Sequence, residues 1–306
     1  MAVDLAAARQ FMFRTARVLE RHRLAVLLDG SPDEPVRDAL IAYRNPDGGF
    51  GHALEPDVRA PHSEPASTLS ALEVLASLRA RTDPLVAEAA AWIDTIADAD
   101  GGVPFVLPAA ADYPRAPWMV ASDGGSHLTF ALAAVLWELE APGPWRDRAT
   151  HWCWAQLERP DSLSAFWVKF GLAFLDHVDD APRAEAAIER LRPRLGGDGS
   201  IPVPGGTEDE RLTALTLAPR PDGRSRRLFA SDQIEADLDR LEAGQQDDGG
   251  WTFDWLAWTP AQEVEWRGLV TLEALGLLLS HKRLALPHRR PVASRPGPAP
   301  SAPSCA

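Results

Sequence analysis

Asp47-Gly48-Gly49-Phe50 returns as Asp100-Gly101-Gly102-Val103, as Asp198-Gly199-Ser200-Ile201 and as Asp248-Gly249-Gly250-Trp251. The starts lie 53, 98 and 50 positions apart. The middle gap is close to two periods, so one copy has decayed, and Asp161-Ser162-Leu163 is its expected remnant. A period of about 50 residues holds two helices and two connections, the unit of a helical-hairpin array. Glycine permits the positive φ of a tight turn, and the aromatic or aliphatic residue that follows can pin the turn to neighbouring helices.

Outward from these turns the chain reads as helical, and strong β alternation is absent. The spacing predicts helices near 4–28, 33–44, 64–80, 84–97, 125–140, 145–157, 162–178, 182–194, 208–217, 232–244 and 261–283. Ser31-Pro32-Asp33-Glu34, Thr207-Glu208-Asp209-Glu210 and Thr259-Pro260-Ala261-Gln262 fit the capping box, while Asp83-Pro84 and Gly143-Pro144 place proline at a helix start. If every turn joins an outer helix to an inner one, the odd-numbered helices are inner and close a ring, with five helices outside. Ala66–Leu72 and Leu128–Ala134 are apolar nearly all round, as suits helices covered on both sides. The expected fold is all-α: one α/α toroid, or barrel, of about six helical hairpins over residues 1–286. A Pro/Ser/Ala-rich tail, 287–306, is expected to be disordered.

Composition sets outer limits. The 306 residues carry a net charge of −13, which argues against nucleic acid as a partner, because phosphate recognition needs a concentrated basic surface. Only Cys153 and Cys305 are present, which suits a reducing, cytoplasmic setting. No secretory signal is visible at the N-terminus, and the apolar stretch near 269–279 is broken by Glu273 and too short to span a bilayer.

Gln246-Asp247-Asp248-Gly249-Gly250-Trp251 resembles the core of the QW repeat of squalene and hopene cyclases. Asn45–Gly51 followed by Ser67–Leu72 resembles the turn and inner helix of the same terpene cyclase and protein prenyltransferase superfamily, and the similarity recurs over roughly residues 33–283. The resemblance implies the toroid and, for function, an enzyme acting on an isoprenoid or similar apolar substrate in a central cavity. The superfamily's catalytic motifs do not follow. No Asp-x-Asp-Asp tetrad is present; Asp179-Asp180-Ala181-Pro182-Arg183 does not complete an Asp-Asp-x-x-Asp metal motif; Cys153 lacks the Asp-x-Cys context of a zinc ligand. Neither a cofactor nor a metal is called for.

Candidate chemistry therefore comes from the residues themselves. Two long connections, 47–63 and 100–124, should gather at one mouth of the cavity, and long ordered loops are more often functional than accidental. Residues 51–64 pack Glu55, Asp57, His62 and Glu64 with Arg59 between stiffening prolines at 56 and 61. The second connection adds Arg115 and Trp118, and the following helix begins near His127. Glu263 and Trp266 share a face of the last helix, and first-turn acids also suit a helix dipole. Glu55, Asp57, Glu64 and Glu263 are the candidate proton donors, with His62 or His127 as partner. Arg44, Arg59 and Arg115 are candidate cations for an anionic group. Trp118, Trp167, Trp258 and Trp266 are the candidate aromatic wall, because aromatic faces attract cations and stack on sugar rings. Lys169 is either a cavity cation or a chain that snorkels outward. Two alternatives stand beside the cyclase-like enzyme: a carbohydrate-active (α/α) barrel, favoured by paired cavity carboxylates beside tryptophan, and a non-catalytic toroid that binds lipid or peptide or serves as a scaffold.

Overall fold

The computed structural model describes residues 3–286, and the tail expected over 287–306 lies outside the described residues. Among the described residues twelve α-helices alternate between an outer and an inner layer. The outer set is α1 (Leu5–Thr15), α3 (Glu34–Ile41), α5 (Pro84–Ile96), α7 (Pro144–Leu157), α9 (Ala181–Leu191) and α11 (Ser231–Ala243). The inner set is α2 (Val18–Asp29), α4 (Pro65–Ser77), α6 (His127–Glu138), α8 (Ala165–His177), α10 (Ala214–Leu217) and α12 (Pro260–Ser280). α4, α6, α8 and α10 pack in succession, α12 packs on α2, and each outer helix covers an inner one. The architecture is an all-α toroid of six hairpins.

The repeated turn is built the same way each time. The aspartate Oδ1 accepts the N–H two residues on, from Gly49, Gly102, Ser200 and Gly250 at 2.9–3.1 Å. A backbone pair closes each loop, as in Asn45 N to Gly49 O and Gln246 N to Gly250 O. The first glycine has φ of +80° to +97° in all four copies, a left-handed conformation that a side chain would strain. In three copies a threonine on the following inner helix then accepts the N–H of the pinning residue: Thr68 from Phe50, Thr129 from Val103, Thr271 from Trp251. This bond sets the depth of each inner helix against its turn. At the expected remnant the chain makes a short 3-10 turn, Pro160–Ser162, and the Asp161 and Leu163 carbonyls accept from Arg194.

Each turn also leans on the next outer helix, and the last one reveals how the ring closes. A Cβ on Gly49 would meet Trp92 of α5, and one on Gly102 would crowd Trp152 of α7. On Gly250 it would lie 2.6 Å from Phe11, and on Gly249 2.3 Å from the Ala7 carbonyl, so α1 serves as the outer helix after α11. The expected single helix over 4–28 is therefore two helices. Ala16 and Arg17 are extended between them, and Arg17 forms the N-cap of α2. Six inner helices are present as expected, with six outer helices rather than five.

Two further expectations are corrected. Residues 201–212 form a small antiparallel ladder, β1 (Ile201–Pro202) with β2 (Arg211–Leu212), which leaves α10 only four residues. Thr207–Glu210 closes its turn, with the Thr207 N–H donating to Glu210 Oε2 at 3.2 Å, instead of starting a helix. α3 starts after Asp33, which makes no side-chain capping bond, with Pro35 in its first turn, and not from Ser31. The starts at Asp83-Pro84, Gly143-Pro144 and Thr259-Pro260 are as expected, and Thr259 accepts the Gln262 N–H.

Candidate functional site: the mouth and axis of the ring

The four longest connections run from an outer to an inner helix, so they meet at one end of the toroid. The two longest are joined there. Arg59 N–H donates to Pro114 O at 2.9 Å, Ala116 N–H to Asp57 O at 2.8 Å, and Leu107 N–H to Glu64 Oε2 at 3.0 Å. The corner between α1 and α2 fastens the first of them: Arg17 forms a two-bond ion pair with buried Glu20 at 2.9 Å and donates to the Ala53 and Leu54 carbonyls. His52 and Ala53 are held at positive φ beside this anchor.

Asp57 is buried at the centre of this end. Its Oδ1 accepts from Gln262 Nε2 and Trp266 Nε1, both at 2.9 Å, and its Oδ2 from Trp118 Nε1 at 3.3 Å. Neighbouring Arg59 pairs with Glu265 at 3.0 Å. Glu55 turns the other way, toward α4, where Ser70 Oγ donates to it at 3.3 Å. Burial pushes its carboxyl up to about 8, and the Asp57 and Glu73 charges add to that. Glu64, the N-cap of α4, is pushed by burial up to about 7, and its second oxygen has no partner.

The axis of the ring holds a second group. Glu73, three residues beyond Ser70 on α4, is exposed to solvent, yet burial pushes its carboxyl up to about 7. It feels Lys169 of α8, Arg23 of α2, Glu273 of α12 and Glu138 of α6 at once. Only the middle of the ring lies near five inner helices, so Glu73 sits at the axis, on the solvent-exposed face of α4. Glu138 is drawn aside by Arg220 at 3.3 Å. Arg23, Glu73, Lys169 and Glu273 make no ion pair or hydrogen bond among the described residues. The Lys169 ammonium lies 5.2 Å from the Phe170 ring. Beside it His127 opens α6 inside an aromatic nest, 4.7 Å from Phe105, 5.6 Å from Phe170 and 6.3 Å from Trp167 between ring centres. Burial takes its imidazole down to about 4, and the Lys169 charge acts in the same direction.

The remaining candidates lie elsewhere. His62 is exposed against Tyr113, and Glu263 is exposed on the first turn of α12. Arg44 pairs with Glu88 of outer helix α5 at 2.8 Å. Arg115 is engaged by the Ala111 and Met119 carbonyls at 2.8 and 2.9 Å, so it braces its own loop. Trp258 is half-buried just before α12, and its Nε1 has no partner. Sequence reading overlooked Arg23, Glu73 and Glu273 as site residues. The available signal was an acid inside an apolar inner helix, as in Leu72-Glu73-Val74 and Leu272-Glu273-Ala274.

No protein-family model matches the chain, and no curated sequence matches it. Among solved structures it is similar to a variant of the type II terpene cyclase MstE from Scytonema, determined in complex with geranylgeranyl dihydroxybenzoate. The two share 12% identity at a TM-score of 0.48 over 90% of this chain and 87% of that one. At that identity neither a residue nor a reaction transfers. No helix among the described residues is long and apolar enough to cross a membrane.

Proposed function

We propose that this chain is an acid–base enzyme whose reaction runs in the axial cavity, on a substrate with an apolar body and a polar group, an isoprenoid lipid being the best fit. The observation that carries this reading is Glu55: a carboxyl aimed at α4 and the axis, hydrogen-bonded to Ser70, and kept protonated near neutral pH by burial. A carboxylic acid in that state can donate a proton at neutral pH. Glu55, Glu73, Lys169 and His127 form an unbroken series of mutual electrostatic neighbours, which supports a common cavity.

In this mechanism the π electrons of a substrate double bond take the Glu55 proton, leaving a carboxylate and a cation on the adjacent carbon. Phe105, Phe166, Phe170 and Trp167 present aromatic faces and edges that can stabilise such a cation. A neighbouring C–H then loses its proton to neutral His127, restoring a double bond; the imidazolium gives that proton to solvent, and solvent reprotonates Glu55. The mouth supports an apolar substrate as well: Phe13, Val18, Trp118, Val120, Leu256 and Val264 are exposed apolar side chains at this end.

One observation favours a second reading. Four unpaired charges line the axis, an unusual setting for a wholly apolar ligand and a natural one for a carbohydrate. The experiment is incubation of the full chain with squalene, prenyl diphosphates and hydroxylated isoprenoids on one side and oligosaccharides on the other, with product detection by mass spectrometry. Turnover of an isoprenoid that vanishes in Glu55→Gln supports the first reading. Cleavage of a saccharide replaces it with the second, and no turnover of either class overturns both.

A further inference from the structure

Buried polar atoms without partners are rare in folded proteins, and each calls for an explanation. Among the described residues five such atoms lie on Arg59 and the segment 255–265: Arg59 Nη2, Trp255 Nε1, Trp258 Nε1, Gln262 Oε1 and Glu265 Oε2. Contacts tie most of them into one patch. Arg59 reaches Glu265 across 206 positions of sequence, Gln262 and Trp266 converge on Asp57, and Trp255 packs edge-on to Trp266 at 5.0 Å. Gln262 has no solvent exposure. Its orientation is dictated by chemistry, since Asp57 Oδ1 accepts from its Nε2, which turns Oε1 to the other side. Glu265 Oε2 is 2.9 Å from Arg59 Nη1 but lies off the N–H direction, so it is charge-balanced without being hydrogen-bonded.

We infer that this patch, at the mouth, is a binding subsite for a hydroxyl-rich group such as a sugar or polyol. The atoms left over are three donors, two of them indole N–H groups, and two acceptors. A hydroxyl both donates and accepts, so vicinal hydroxyls satisfy the mixed set, while indole faces stack on the C–H side of a sugar ring. An anion meets the donors but also faces the Asp57 and Glu265 carboxylates against a single guanidinium. A purely apolar group satisfies none of the five. The subsite goes beyond the acid–base reading and stands or falls separately from it, because none of its residues donates or receives the reacting proton.

The test is equilibrium binding to the full chain, read by tryptophan fluorescence and calorimetry, with cellobiose, methyl β-glucoside, sodium acetate and inorganic phosphate as probes. Saturable binding of a saccharide, not displaced by acetate or phosphate, is the expected result. Trp255→Phe and Trp258→Phe keep an aromatic ring and remove one N–H each, so each should weaken saccharide binding about tenfold. Thermal unfolding of both variants establishes that the fold is intact. Glu55→Gln should bind saccharide as the unaltered chain does, which separates this inference from the catalytic one. Absence of saturable saccharide binding, binding unchanged in both phenylalanine variants, or preference for phosphate would each overturn the subsite.

Discussion

The mouth and the axis of this ring use the same residue types in opposite ways. At the mouth the charges are matched: Arg17 with Glu20, Arg59 with Glu265, and Asp57 with three N–H donors from two other parts of the chain. On the axis Arg23, Glu73, Lys169 and Glu273 face one another without a bond among the described residues. Matched groups hold backbone in place, and their loss leaves a buried charge stranded. Unmatched groups hold nothing together, so their proposed contribution lies in what binds beside them. The two regions should therefore fail differently when altered.

The largest effect is expected at the residue that links them. Glu55→Gln keeps the shape of the side chain and removes the donated proton, so kcat in the proposed acid–base reaction should fall about 10²- to 10⁴-fold with stability near that of the parent. A variant with unchanged turnover would move the acid elsewhere. At the mouth, Arg17→Met should cost about 3–5 kcal/mol in a urea titration, because buried Glu20 loses its cation and the Ala53 and Leu54 carbonyls lose their donor. A loss under about 1 kcal/mol would place that ion pair among the dispensable surface pairs.

The third comparison is pH. Glu64 is held at about 7 in the folded chain against about 4.5 for the unfolded group. A raised carboxyl means that the folded state binds more protons between those values, so stability is greatest below about 4.5 and is lost as pH rises through about 7. For nearly fully buried Glu64 the difference is worth about 3 kcal/mol at full ionisation, and Glu64→Gln should flatten that part of the profile. Unfolding measured from pH 5 to 8 in both proteins decides it. The smallest effect belongs to the axis: Glu273→Gln should change unfolding free energy by no more than about 0.5 kcal/mol. A large loss there would mean that the axial charges do structural work.

The layout of the ring was legible because its turn is a local device, repeated with the same aspartate and glycine in four places. The boundaries that failed lack such devices. Thr15-Ala16-Arg17 contains neither glycine nor proline, and the break between α1 and α2 follows from Arg17 being drawn to Glu20 and the first loop, a tertiary cause. Thr207–Glu210 carries a capping pattern whose glutamate does reach back to the threonine N–H, but it closes a hairpin whose partner strand decides the outcome. The loop candidates Glu55, Asp57, Glu64 and Arg59 do come together at one end. The axial group was hidden, since an acid on one helix reveals its neighbours only after the ring has brought five helices around it.

Closure through α1 has a consequence for how the chain is made. The Asp4 N–H donates to the side chain of Gln245, 241 positions away, and the last aspartate-glycine turn rests on Ala7 and Phe11. During synthesis α1 must wait, with part of its apolar face uncovered, until the ribosome has delivered nearly the whole molecule. Repeat arrays of open geometry can gain or lose units and mature from one end; a closed one cannot. This protein should acquire its final order late and in a single cooperative step, with contacts of the longest range settling last. A new pair of termini cut at the exposed Asp179-Asp180 connection, with the original ends joined, would turn that late contact into an early one.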